Sequence, residues 1–180
     1  MLINADLSRR VTVAPQQYQW LPSPQGGVER MMLDRVGAEK ARATSIVRYA
    51  PASYFPHHLH PGGEEILVLS GTFSEGDEHY PAGWYLRNPP GSSHQPSSCE
   101  GAIIFVKLGQ MPPDEKRRVR IDTNDPSAWQ RERGREICPL FSDAVEQVCL
   151  RKLAPGEPLF DERVNYAELL VLAGDVIAAG

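Results

Sequence analysis

The run His57–Ser98 reads HHLHPGGEEILVLSGTFSEGDEHYPAGWYLRNPPGSSHQPSS, and its punctuation decides the fold. Ile66–Phe73 (ILVLSGTF) is a nearly continuous apolar segment, bounded by Pro61-Gly62-Gly63 before it and Glu75-Gly76-Asp77 after it. A short apolar run between such breakers reads as a buried strand. Tyr80–Leu86 makes a second short strand, and Asn88-Pro89-Pro90-Gly91 a tight turn.

The same pattern extends on both sides. Upstream, residues 1–25 read as an arm with one early strand that breaks at Leu21-Pro22-Ser23-Pro24. Val28–Val36 alternates imperfectly, Ala41–Tyr49 (ARATSIVRY) is a better strand, and Tyr54–His60 is extended. Downstream, Gly101–Leu108 (GAIIFVKL) is a buried strand. Sixteen prolines and fifteen glycines spread along 180 residues leave little room for helices. Short strands with frequent turns predict an all-β sandwich or barrel.

Composition narrows the function classes. With 41% hydrophobic and 23% charged residues the chain has the make-up of a folded domain. A formal charge of -4 argues against direct nucleic-acid binding, which needs a basic footprint. The stretch Lys116-Arg117-Arg118 has Asp114 and Glu115 beside it and reads as the solvated face of a linker. No apolar run approaches the length of a membrane span, and Met1–Arg10 has no apolar core of a secretory signal. Three widely spaced cysteines, Cys99, Cys138 and Cys149, suit a reducing cytoplasm rather than a disulfide framework. A cytoplasmic protein is expected.

The chemistry gathers at His58-Leu59-His60. Residues two apart on a strand project to the same face, so both imidazoles can enter a barrel interior while His57 and Leu59 point away. After the turn at Pro61-Gly62-Gly63, Glu64 opens the next strand and can return beside them. These N and O donors suit Zn²⁺, Fe²⁺, Mn²⁺ or Ni²⁺. A fourth donor is available at His94, beyond the Pro89-Pro90-Gly91 turn.

The joint spacings resemble the two motifs of the cupin superfamily. The first, G-x5-HxH-x3,4-E-x6-G, is matched from His58 and His60 through Glu64 to Gly71, with Ala52 in place of its leading glycine. The second, G-x5-PxG-x2-H-x3-N, is matched by Gly83, Pro89, Gly91 and His94, with Ser98 in place of the closing asparagine. The resemblance implies a jelly-roll (RmlC-like) barrel holding one divalent metal ion on His58, His60, Glu64 and His94. Closer still, ARATSIVRYAP, FPHHLHPGGEEILVLSGTF and YPAGWYLRNPPGSSH resemble the cupin domain of ChrR-type anti-sigma factors. That likeness implies Zn²⁺ first, with Fe, Ni or Mn as the other candidates, and a link to the response to singlet oxygen and organic peroxides. In that family a zinc-dependent domain preceding the cupin grips the sigma factor. No cysteine precedes Cys99 here and no histidine precedes His57, so the likeness covers the cupin only and anti-sigma activity is not carried over.

A second theme is repetition. Leu150–Phe160 (LRKLAPGEPLF) parallels Ile46–Phe55 (IVRYAPASYF), and Glu168–Asp175 (ELLVLAGD) parallels Glu65–Thr72 (EILVLSGT), at offsets of 104 and 103 residues. The expectation is a metal-binding cupin domain over 1–110 with its arm, a linker over 111–135, and a partial, degenerate second cupin repeat over 136–180. Where the first copy has HPGGEE the second has no histidine, and Ala167 stands at the place of Glu64, so the repeat cannot hold the ion. It would pack on the first barrel or on another chain, because open sheet edges need cover, and a homodimer is expected.

Two function classes are compatible with this chemistry. One is a sensor or regulatory module that binds a small ligand or works through a protein partner. The other is a metal-dependent dioxygenase or related enzyme acting on a small organic substrate, with open metal positions for O₂ or a chelating substrate. Tyr54, Phe55, Phe73, Trp84, Tyr85 and Phe105 are expected to fill the core, and Arg48 and Arg87 to lie at the surface.

Overall fold

The chain is described from a computed structural model that covers residues 1–38, 41–160 and 163–177. Glycine and proline cut it into short strands, and every ladder among the described residues is antiparallel. The arm carries β1 (Leu2–Ile3) and β2 (Leu21–Pro22), which pair with β3 (Val28–Val36). Next come β4 (Arg42–Tyr49), β5 (Ser53–Tyr54), β6 (His58–His60), β7 (Glu64–Glu75), β8 (Glu78–Pro81) and β9 (Trp84–Asn88). They are followed by β10 (Ser92–His94), β11 (Pro96–Ser98) and β12 (Ala102–Leu108).

The main sheet runs β1-β3-β4-β12-β7-β11-β5, and β8 and β9 also pair with β7. Twelve-residue β7 is the hub. Its first part pairs with β12 and β9, and its last residues pair with β8 and β11. The change of partner falls around Gly71, whose φ is +67°. A Cβ there would lie 1.9 Å from the Gly101 carbonyl oxygen, so the position needs glycine both for its backbone angle and for space.

Strand alternation sorts β7 onto two cores. Ile66 and Val68 face inward with Val47, Tyr49, Phe73, Leu86, Ile104 and Val106. Leu67 faces outward, with Tyr85 from β9, onto Cys138 and Leu140. Both faces are therefore covered, which is why the segment reads as continuously apolar rather than alternating.

The outer cover comes from beyond the barrel and changes two expectations. Residues 111–135 are not merely a polar connector. They contain β13 (Val119–Asp122), which pairs with β9, a short 3-10 turn at Pro126–Ala128, and β14 (Gln130–Glu132). Val119 and Ile121 alternate with Arg120 and Asp122, a two-residue apolar rhythm hidden in a charged stretch. β14 then joins β15 (Arg135–Ser142) and β16 (Gln147–Lys152) in a three-stranded sheet that lies on the Leu67–Tyr85 face.

The segment Glu168–Asp175, expected as a strand, forms none, and neither does any other described residue after Lys152. Its Leu170 packs on the outer core and Glu168 pairs with Lys107 at 2.9 Å, while Leu169, Val171 and Leu172 stay about half exposed. Nearly the same apolar letters make a strand in β7, where β12 and β9 flank it; here no strand among the described residues pairs with the segment. Residues 161–162 and 178–180 of the expected repeat lie outside the described residues. No helix among the described residues is long and apolar enough to cross a membrane.

Candidate metal centre

Four side chains converge at one end of the barrel. β6 presents His58 and His60, β7 begins at Glu64, and β10 ends at His94. β6 and β10 pair antiparallel with His94 opposite His58, so one two-stranded ladder sets the two histidines face to face. Glu64 has the parity of Ile66 and Val68 and therefore looks inward. One donor atom from each of His58, His60, Glu64 and His94 lies within 4.8 Å of the others.

The spacing fits a metal ion. His60 Nε2 lies 3.0 Å from His94 Nε2, and the two stand 3.5 and 3.4 Å from Glu64 Oε2. Donors about 2.0–2.2 Å from a common ion stand roughly 2.9–3.5 Å apart, the edge lengths of a coordination polyhedron. The far sides of two rings are already engaged. His58 Nδ1 donates to the Pro56 carbonyl at 2.8 Å, and His94 Nδ1 donates to Glu75 Oε1 at 2.5 Å. Each bond places the proton on Nδ1 and leaves Nε2 with its lone pair facing the cluster.

Burial and the neighbouring groups together set the direction of each pKa. Burial, together with the neighbouring His94 and His58, lowers the pKa of His60 to about 3, so this ring is neutral near pH 7. Burial alone would lower His94, but the hydrogen bond and charge of Glu75 and the charge of Glu64 reverse it, and its pKa is raised. Burial alone would also raise Glu75; the bond and charge of His94, with Arg120 and Asn88, bring it down to about 2.

The other singled-out residues divide between groove, surface and core. His57 is exposed and is not one of the four clustered donors; it lines an open groove of about 560 Å³ with Glu75, Glu78, His94, Gln95 and Arg118. Glu65 points away from the cluster and takes a 2.8 Å bond from Arg87 Nη1. Arg48 sits at the surface, paired with Glu29. Arg87, expected there too, is 0% exposed. It has the parity of Tyr85, so it lies under the three-stranded sheet, bonded to Glu65 and Glu146 and stacked 3.6 Å from the Phe141 ring centroid. Phe73 and Tyr85 are buried in the cores, whereas Tyr54 is exposed.

Sequence reasoning missed Glu75, Asn88 and Arg120. Asn88 Nδ2 donates to Glu64 Oε2 at 3.1 Å and to Glu75 Oε1 at 3.2 Å. Glu75 had the look of a turn residue beside Gly76. Its one visible signal is parity with Phe73 at the inward-facing end of β7.

An all-antiparallel β fold with an HxH, Glu and His cluster at one end defines the class: this is a cupin. The chain belongs to the ChrR cupin-like domain family, whose model matches residues 8–112. No curated protein matches it. Among solved structures, an RmlC-like cupin from Ralstonia eutropha aligns at a TM-score of 0.50 and 16% identity, over 68% of this chain and 79% of that one. Rhodobacter sphaeroides SigE in complex with the anti-sigma ChrR aligns at 0.44 and 23%, over 53% of this chain. This chain spans about half of that one, 51%. An acetylacetone dioxygenase from Acinetobacter johnsonii aligns at 0.44 and 19%, over 66% and 88% of the two chains.

Proposed function

We propose that His58, His60, Glu64 and His94 hold one divalent metal ion, zinc before iron, nickel or manganese, and that the chain is a sensor or small-ligand-binding module linked to oxidative stress. The observation that carries this reading is where the cluster sits. Beneath it the barrel is filled: Phe73 and Tyr49 are buried and in edge contact with each other, and the Phe73 ring lies 6.1 Å from that of His94. Half-buried His58 and His94, the latter lining the outer groove, are the open side. A filled barrel favours a small ligand or oxidant reaching the ion from outside over a bulky substrate bound within.

When bound, the ion would supply Lewis acidity at its open positions. The chain's own residues do the rest: Pro56 and Glu75 orient the rings, and Asn88 orients the Glu64 carboxylate. The second reading, a metal-dependent dioxygenase acting on a small organic substrate, draws on that same open side.

Metal analysis of protein purified without added metal, together with oxygen uptake, separates the two. One zinc per chain and no oxygen consumption with a β-diketone supports the module. Iron with oxygen consumption replaces it by the enzyme, and no stoichiometric metal overturns both.

Beyond the site, the likeness of Glu168–Asp175 to Glu65–Thr72 supports a degenerate repeat that has lost its ligands. Exposed Val164, Tyr166, Leu169, Leu172 and Val176 in and around that stretch support a homodimer, which light scattering tests; a regulatory protein partner in the cytoplasm accords with the family.

A further inference from the structure

Arg120 comes from β13, outside the residues 8–112 that define the family. All five of its N–H donors are used. Nη2 donates to Glu75 Oε2 and to Asn88 Oδ1, both at 2.7 Å. Nε donates to the Tyr80 hydroxyl at 2.9 Å, and Nη1 to the carbonyls of Val119 and Arg87 at 2.8 and 3.3 Å. A guanidinium has no sixth donor, so this one is fully committed to a single pose.

Its two side-chain acceptors on Nη2 are the residues that reach the metal ligands. Glu75 accepts from His94 Nδ1 at 2.5 Å, and Asn88 donates to Glu64 Oε2 at 3.1 Å. Because the Asn88 oxygen faces Arg120, its amide nitrogen must face the two carboxylates. Glu64 and Glu75 thus share one amide, and the guanidinium offsets the second negative charge brought beside the first. Without it, Glu75 would be free to turn from His94 and compete for the ion.

We infer that Arg120 is a positioning residue of the metal centre: through Glu75 and Asn88 it fixes the ring of His94 and the carboxylate of Glu64. The inference rests on the proposed binding of one ion by the four ligands. It also makes the polar stretch after the family domain part of the site rather than a tether.

The experiment uses the full chain and Co²⁺ as the probe, reading stoichiometry, Kd by chelator competition, and the visible spectrum, which reports coordination geometry. Wild type is expected to bind one Co²⁺. Arg120→Gln should bind about 10- to 100-fold more weakly, the usual cost of losing an outer-shell partner, with an altered spectrum. Arg120→Lys should recover part of the affinity, since an ammonium restores charge beside Glu75 but cannot also reach Asn88 and Tyr80 in one fork. Arg48→Gln is the control: Arg48 pairs with Glu29 and with none of the residues of the site, so its loss should leave Kd and spectrum unchanged.

A wild-type chain that binds no stoichiometric ion sinks the proposed site itself. A wild type that binds, with Arg120→Gln matching its Kd and spectrum, or with Arg48→Gln losing as much, overturns the role of Arg120 alone. If Arg120→Gln does not fold, Glu75→Gln carries the test, and an unchanged Kd there overturns the inference.

Discussion

His57, His58 and His60 occupy four residues of chain and three different environments. His60 is buried against Glu64 and His94, His58 is half-buried with Nδ1 held by Pro56, and His57 faces the outer groove. Strand parity sets His57 apart from the other two, because adjacent residues face opposite ways and alternate ones face together. His60→Ala is accordingly expected to abolish stoichiometric metal binding, while His57→Ala keeps one ion per chain by elemental analysis. Equal loss in both variants would contradict the parity assignment. The same logic separates Glu64 from Glu65 and Asn88 from Arg87. One of each pair serves the cluster, and the other lies under the outer sheet in an ion pair.

At the scale of elements, β7 ties the site to the cores. It begins at Glu64 of the four-residue cluster, ends at Glu75 behind His94, and pairs with four other strands between them. The handover at Gly71 tolerates no side chain. Gly71→Ala sets a Cβ against the Gly101 carbonyl and forces a left-handed backbone on alanine. A loss of about 1–3 kcal/mol in unfolding free energy is expected from denaturant melts; a wild-type midpoint would show that the β7–β12 junction relaxes freely. The glycine was visible beforehand as the last position of the first motif, and its physical reason was not. Glu75 and Arg120 were not visible as site residues at all. They reach His94 from the far end of β7 and from β13, and no local spacing encodes such a meeting.

At the scale of the molecule, the barrel is incomplete without the three-stranded sheet C-terminal to it. Leu67, Tyr85 and Phe105 face outward and are covered by Cys138, Leu140 and Val148 of that sheet. Arg87 is neutralised by Glu65 inside the barrel domain and by Glu146 outside it. A chain cut after residue 112 would expose that apolar face and leave Arg87 short of one partner. It is expected to aggregate or to bind more hydrophobic dye than the full chain; a soluble fragment that binds no more dye would show that the outer sheet is dispensable. The sequence by itself determined the all-β class, the barrel strands and the four convergent donors, because strand parity and Pro/Gly turns are local and act over a few residues. Only the tertiary structure decided that Arg87 is buried, that Arg120 joins the site, and that ELLVLAGD forms no strand where EILVLSGT forms one. Burial and pairing depend on which distant segment lies alongside, and that is a property of the folded chain rather than of any stretch of letters.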